Sequence, residues 1–171
     1  MSWSNYERSM KLAQQCRFYT TEGGKTPDEI KKAEKLLGVQ FSKQYKDFCK
    51  NYGYLSFYGN EIFGIDPDNL EILEGNCVAY ALNDRKVYEL PRHYIPIYDY
   101  GDGTMAYMDY SALNKEEPRI VIMGYNGSKY HVIEITAEDF GDFVLGLVQD
   151  ELDGCIIKIR IIKAYDGSLI S

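Results

Sequence analysis

Two short patterns in this sequence contain residue types that enzymes use: a glycine-rich turn and a pair of histidines. Gly101-Asp102-Gly103 follows a predicted strand, as a nucleotide-binding loop would, but Ala106 replaces the third glycine of that fingerprint. His93 and His131 belong to no HExxH pattern, and the chain has no G-x-S-x-G nucleophile elbow. We therefore expect no catalytic residues. A small hydrolase with an unfamiliar site would need one histidine beside a carboxylate in a deep pocket.

The cysteines are the residues best suited to bind a metal ion, and their spacing argues against such a site. None forms a C-x-x-C pair, and none stands at metal-ligand spacing from a histidine. Cys49 falls on an apolar helical face, which is typical of a buried thiol that acts as a small hydrophobe. We expect reduced thiols, no metal and no cofactor. The four cysteines are Cys16, Cys49, Cys77 and Cys155.

Tyrosine and the acidic residues stand out in the composition. The chain has 16 tyrosines, and 26 acidic against 19 basic residues give a formal charge of −7. Nucleic-acid-binding proteins obtain affinity by neutralising phosphates with Lys and Arg, so we expect no direct nucleic-acid binding. Tyrosine is enriched in the cores of protein interfaces, and interleaved acids would attract a basic protein partner. The predicted partner contacts are Glu61, Asp66, Tyr98, Asp99, Tyr100 and Asp102.

Length and composition indicate one globular domain. The chain has 171 residues, and compact domains usually contain roughly 100–200 residues. Hydrophobic residues make up 45% and charged residues 26%, which are ordinary globular values. The N-terminus shows no basic start followed by an apolar run, and no segment approaches the roughly 20 apolar residues that span a bilayer. We therefore expect a cytoplasmic protein that does not bind membranes.

Three amphipathic helices are predicted in the first third of the chain. Apolar residues recur at intervals of three and four from Trp3 to Cys16, which is typical of a helix. Thr26-Pro27-Asp28-Glu29 predicts the start of a second helix, because threonine caps, proline suits the first helical position and glutamate completes a capping box. A third helix is predicted from Ser42 to Gly53.

The middle of the chain is predicted to form consecutive β-hairpins. Short runs rich in aromatic and β-branched residues alternate with turn signals, of which Asn126-Gly127 is the strongest. An irregular, mostly helical segment is predicted at 68–88, and a last helix begins at Thr136-Ala-Glu-Asp139. The predicted class is α+β, with a central, mostly antiparallel sheet of consecutive hairpins flanked by N-terminal helices and one C-terminal helix. The predicted strands are residues 54–58, 61–65, 94–100, 104–109, 119–125 and 129–135.

The C-terminal segment differs in character from the rest of the chain. Residues 155–163 contain five isoleucines interrupted by Lys158, Arg160 and Lys163, a pattern that favours a strand. Residues 154–171 hold three basic residues and one acidic residue, which leaves residues 1–153 with a net charge of −9. We predict a single α+β domain over residues 1–153 and a strand-like extension over 154–171. That extension is either an added edge strand or an artificial addition.

The stretch from Ile30 to Phe48 combines an Ile…Ala-Glu…Leu-Gly helix with a Phe41-Ser42-x-x-Tyr45-x-x-Phe48 helix start. It is similar to the opening motif of the SUKH superfamily, in which the second helix starts with Leu-Pro-x-x-Tyr-x-x-Phe. The resemblance spans about residues 26–150. Phe41-Ser42 stands where Leu-Pro is usual, and serine also caps helices. Later segments resemble the motifs that follow in the superfamily, including its "IPI…GDG…LD" hairpin. These segments are Asn51-Tyr-Gly53, Glu61-Ile-Phe-Gly64, Tyr94-Ile-Pro-Ile, Gly101-Asp-Gly103 and Tyr107-Met-Asp109.

The resemblance implies an α+β binding module without catalysis. The superfamily includes a fungal regulator of cell-wall glucan synthesis and many bacterial immunity proteins, which bind and neutralise a cognate toxin domain, commonly a nuclease. An acidic protein can cover the basic substrate groove of a nuclease. The expected function is therefore that of an immunity protein whose partner is a basic nuclease toxin domain. The alternative is a regulatory protein-interaction module of the glucan-synthesis-regulator type, since a fold alone does not set function.

Overall fold

A computed structural model describes residues 2–112 and 116–165 of the protein, with only the backbone described for Ser2 and for residues 155–165. The helices within these residues are α1 (Ser2–Ala13), α2 (Pro27–Leu37), α3 (Lys43–Asn51), α4 (Cys77–Val87) and α5 (Phe140–Tyr165). The strands are β1 (Thr20–Thr21), β2 (Leu55–Phe57), β3 (Asn60–Ile62), β4 (Tyr94–Asp99), β5 (Thr104–Asp109), β6 (Arg119–Tyr125) and β7 (Tyr130–Ala137).

The strands form two antiparallel sheets. A sheet of three short strands has the order β1-β2-β3, and a sheet of four longer strands has the order β4-β5-β6-β7. The two sheets meet where the Phe63 N–H donates to the Ile97 carbonyl at 2.9 Å. The predicted α+β class, with helices at both ends of a series of hairpins, is confirmed. Two sheets stand in place of the single sheet expected, and the short strand β1 was not predicted.

The main hydrophobic core contains aromatic side chains from α3 and α5. The rings of Tyr45, Phe48 and Phe140 are fully buried. The Phe140 ring lies 5.3 Å from that of Tyr45 and 5.1 Å from that of Phe48, measured between centroids. The α1 helix packs on α5, where the Asn5 side-chain amide donates to Asp142 at 2.7 Å. The N-terminal and C-terminal helices therefore close the same core.

The start of α2 has the capping box predicted from the sequence. The Thr26 hydroxyl accepts a hydrogen bond from the Glu29 N–H at 3.2 Å, and the Glu29 carboxylate accepts one from the Thr26 N–H at 2.7 Å. The Glu29 carboxylate also accepts a hydrogen bond from the Thr26 hydroxyl at 2.8 Å. The two bonds that the carboxylate accepts lower the pKa of Glu29, because they stabilise its charged form. Gly38 ends the helix in the left-handed conformation, with a φ of 71°.

Three cysteines of the described residues, Cys16, Cys49 and Cys77, lie in the core. Cys49 and Cys77 are fully buried, which confirms the prediction for Cys49. Burial raises the pKa of both thiols, and that of Cys77 reaches about 12. Both side chains are therefore protonated thiols at neutral pH. None of the helices in the part of the chain that the structure describes is both long enough and apolar enough to cross a membrane.

Residues 155–165 are helical, so the strand predicted at residues 155–163 was wrong. The α5 helix continues without a break from Phe140 to Tyr165. Once a helix has been nucleated, each further residue adds a hydrogen bond at little cost. The preceding turns of α5 therefore outweigh the modest and context-dependent β-propensity of isoleucine. The division into a domain at 1–153 and an extension at 154–171 remains a prediction.

Candidate partner-binding groove

A groove of about 490 Å³ opens where β3 and β4 meet the loop that precedes α4. Its walls come from the β2–β3 turn, the end of β4, that loop and the first turn of α4. Three glycines, Gly59, Gly75 and Gly101, also line it. The lining side chains that carry a charge or an aromatic ring are Glu61, Phe63, Glu74, Tyr80, Tyr98, Asp99 and Tyr100.

The predicted contact residues divide into those inside this groove and those outside it. The structure brings four of them together, since Glu61, Tyr98, Asp99 and Tyr100 all line the groove. Asp102 lies on the adjacent turn, where its carboxylate accepts a hydrogen bond from the Thr104 N–H at 2.9 Å. Asp66 lies in the loop before α4 and accepts a hydrogen bond from the Asn69 side chain at 2.8 Å. For all six residues a role in partner contact remains a prediction.

Tyr98 is held in place by a chain of hydrogen bonds and by ring contacts. Its hydroxyl donates to the Asn60 side-chain oxygen at 2.7 Å, and the Asn60 amide donates to Glu151 of α5 at 3.0 Å. The Tyr98 ring meets Tyr100 at 4.8 Å and Phe143 at 5.8 Å between centroids, both edge-on. This wall is therefore ordered before any partner binds, and pre-organisation lowers the entropic cost of association.

The turn between β4 and β5 takes its shape from its own acidic side chains. The Asp99 carboxylate accepts a hydrogen bond from the Gly101 N–H at 2.8 Å, which is the geometry of an Asx turn. Gly101 and Gly103 adopt positive φ values of 74° and 90°. Hydrogen bonds from Thr104 lower the pKa of Asp102. Asp99 and Asp102 thus both fix the turn and supply negative charge beside the groove.

Six lining residues were missed by the sequence prediction: Gly59, Phe63, Glu74, Gly75, Tyr80 and Gly101. Glu74, Gly75 and Tyr80 come from the segment around the start of α4. The prediction assigned an irregular, mostly helical segment to residues 68–88, but the helix begins only at Cys77. The residues before it form a turn-rich loop. Gly75 followed by Asn76 is a turn-and-cap signal that could have placed this helix start.

Asn76 organises the loop that carries Glu74. Its side chain is buried, and its oxygen accepts hydrogen bonds from the N–H groups of Asp66 at 3.0 Å and of Val78 at 3.2 Å. Its amide group donates to the carbonyls of Asp66 at 2.9 Å and of Asn69 and Ile72 at 3.2 Å each. One side chain thus caps α4 and satisfies three loop carbonyls.

Replacing Asn76 with alanine is expected to lower the free energy of unfolding by about 2–3 kcal/mol, because the helix cap is lost and the loop carbonyls lose their donor. Urea unfolding followed by circular dichroism measures the change. The matched control is Asn76→Ser, which keeps an oxygen that can cap α4 and loses the amide group, so its stability should lie between that of the wild type and that of Asn76→Ala. Unchanged stability of Asn76→Ala would contradict this role.

The electrostatic character of the groove is negative. Glu61, Glu74 and Asp99 contribute carboxylates, and no Lys or Arg is among the residues that line it. Burial raises the pKa of Tyr98, and the charges of Glu151 and Asp99 raise it further. Burial and neighbouring groups likewise raise the pKa of Tyr100 to about 12. The tyrosine rings therefore stay neutral at physiological pH.

This combination of groups suits a cationic side chain. Carboxylates attract Lys and Arg, and the faces of neutral tyrosine rings bind the same cations through cation–π contacts. Neither histidine lines the groove. His93 instead packs against Tyr94 with 4.2 Å between ring centroids. The histidine-carboxylate pair that a hydrolase would require is therefore not found at this site.

Comparison with known proteins identifies a family. Residues 27–144, more than half of the chain, match the SUKH_6 family, which is described as SMI1-KNR4 cell-wall. The match runs from α2 into α5 and includes every residue that lines the groove. No curated protein matches the chain. Proteins of this family are generally non-catalytic and act in immunity or regulation. The chain belongs to the SUKH superfamily.

Proposed function

We propose that this protein is a non-catalytic immunity protein that binds and neutralises a cognate bacterial toxin domain, specifically a basic nuclease domain. The observation that carries the proposal is the groove, which Glu61, Glu74 and Asp99 line together with three tyrosine rings. Membership of the SUKH superfamily supports it, because members typically interact with toxin partners.

The groove and a nuclease are chemically complementary. A nuclease surrounds its substrate with Lys and Arg, whose charges attract phosphates. The same charges are attracted to the carboxylates of the groove, and the attraction speeds the encounter of the two proteins. Tyr98 and Tyr100 offer apolar ring surface to the aliphatic stems of these side chains. Neutralisation then follows from occupancy, because a covered substrate groove cannot admit nucleic acid.

Co-expression with the toxin domain encoded beside the gene tests the proposal. Cells that produce the toxin domain alone should stop growing, and cells that also produce this protein should grow. The two proteins should co-purify as a stable complex whose affinity falls as salt is raised, because charge pairs are screened. Growth arrest despite co-expression, together with no complex at low salt, would contradict the proposal.

A second candidate function is a regulatory interaction module of the glucan-synthesis-regulator type. The description of the matching family as SMI1-KNR4 cell-wall favours it. The same groove would then bind a basic segment of a regulatory protein. The gene neighbourhood distinguishes the two candidates, since only the immunity function requires a toxin gene nearby. Recovery of a regulatory protein that co-purifies with this protein, in the absence of any toxin domain that binds it, would favour the second candidate.

A further inference from the structure

Phe18 has an unusual backbone and an unusual exposure. It is 80% exposed, the highest value among the exposed large hydrophobic side chains of the described residues. Its φ of 58° lies in the left-handed region, which residues other than glycine, asparagine and aspartate seldom adopt. Because the ring is exposed, burial of the side chain contributes little to offset the cost of this conformation.

Neighbouring residues fix Phe18 in this position. The N–H of Tyr58 donates to the Arg17 carbonyl at 3.0 Å, and Thr20 pairs with Ser56 in the three-stranded sheet. The Tyr58 ring meets the Phe18 ring edge-on with 6.3 Å between centroids. Tyr58 is itself left-handed, with a φ of 55°. Two aromatic residues with strained backbones therefore support each other at one point of the surface.

This aromatic pair borders the groove. Tyr58 is followed in the chain by Gly59, which lines the groove, and Glu61 lies two residues further on. Through Tyr58 the exposed ring is linked to the turn that forms one wall of the groove, whose charged lining side chains are all acidic. The residue before Phe18 is the basic Arg17. Strained residues that the surroundings hold in place tend to occur at functional sites. Interfaces concentrate their binding energy in aromatic residues surrounded by polar contacts.

We propose that Phe18 is the apolar anchor of the partner-binding surface and inserts its ring into an apolar pocket on the partner. The surface around that pocket is basic, because it must also face Glu61, Glu74 and Asp99. This inference rests on the proposed function and names the kind of contact that the partner provides. In this proposal the strained backbone of Phe18 keeps the ring exposed for the partner and does not stabilise the folded domain.

A stability comparison tests the first half of the inference without any partner. Phe18→Ala removes the ring and keeps a Cβ in the left-handed region, whereas Phe18→Gly removes both. The folding equilibrium constant of Phe18→Gly should exceed that of Phe18→Ala by about five-fold, because glycine adopts a positive φ freely. It should also be no lower than that of the wild type. A glycine variant that is less stable than the alanine variant, in urea unfolding, would overturn the inference.

A binding comparison tests the second half, with the toxin domain encoded beside the gene as the probe. Both Phe18 variants should bind it roughly 30-fold or more weakly than the wild type, as expected for a hot-spot aromatic residue. The matched control is Val87→Ala, which truncates a side chain that is 55% exposed at the end of α4 and should leave the affinity unchanged. Unchanged affinity of Phe18→Ala would overturn the inference alone. Failure of the wild type to bind would overturn the proposed function and with it the partner that the inference names.

Discussion

Replacing Gly64 with alanine is expected to prevent folding. A Cβ at this position would lie 1.4 Å from the carbonyl oxygen of Gly53 and 2.5 Å from its carbonyl carbon. Both are backbone atoms, so no side chain can rotate away to make room. Gly64 is also fixed by its own hydrogen bonds, since its N–H donates to Gly75 and its carbonyl accepts from Cys77, each at 2.9 Å. The chain beyond Gly64 leads directly into the loop of the groove.

The expected cost is more than about 5 kcal/mol, which is comparable with the whole stability of a typical small domain. Soluble yield and the near-ultraviolet circular dichroism of the purified protein measure it. The matched control is Gly146→Ala in α5, where an added Cβ would meet no atom within 4 Å apart from its chain neighbours and the adjacent backbone of its own helix. That variant should gain about 0.5–1 kcal/mol from the higher helix propensity of alanine. A cooperative unfolding transition of Gly64→Ala at the wild-type midpoint would contradict the close contact.

Reversing two charges in the groove is expected to weaken toxin binding strongly. Glu61→Lys combined with Glu74→Lys places positive charges where a basic partner must dock. Like charges brought together at an interface cost several kcal/mol, so we expect affinity to fall on the order of a thousand-fold. These two residues are preferable to Asp99 and Asp102, whose carboxylates hold the β4–β5 turn. Isothermal titration calorimetry with the toxin domain, and growth of cells that co-express it, measure the loss.

A control with the same change in net charge separates the groove from the overall charge. Glu138→Lys combined with Asp153→Lys reverses two exposed acidic residues that do not line the groove. This variant should keep most of the affinity and lose mainly some of the association rate at low salt. Equal losses in the two double variants would show that net charge governs binding and that the groove does not.

The parts of the fold that could be predicted are those set by neighbours in the sequence. The capping box at Thr26 and Glu29 and the turn at Asn126-Gly127 depend on a few adjacent residues, and both occur as predicted. The strand predicted at residues 155–163 was wrong because its structure depends on the helix that precedes it. Residues 155–163 favour a strand when considered alone, yet they continue a helix that begins at Phe140. The β-propensity of these residues is outweighed by the hydrogen bonds gained when they continue α5.

The candidate site was predictable only in part, for the same physical reason. Tyr98, Asp99 and Tyr100 are adjacent in the chain, so recognition of one hairpin was enough to bring them together. Glu74 reaches the groove because Asn76 folds the preceding loop, and Gly64 packs against Gly53 from the end of α3. Contacts of this kind join segments that no periodic pattern relates. The strain at Phe18 also leaves no signal in residue type, since phenylalanine is rare at positive φ.

The hydrogen bonds that run from Tyr98 through Asn60 to Glu151 give α5 a part in binding, although α5 contributes no side chain to the groove. Any transient opening of the middle of α5 removes the acceptor that orients Asn60 and so releases the Tyr98 ring. If opening of α5 weakens the binding of a partner at Tyr98, then binding of that partner raises the free energy of opening α5 by the same amount, because the coupling between the two events is reciprocal. The stability of α5 against opening therefore depends on whether the groove is occupied.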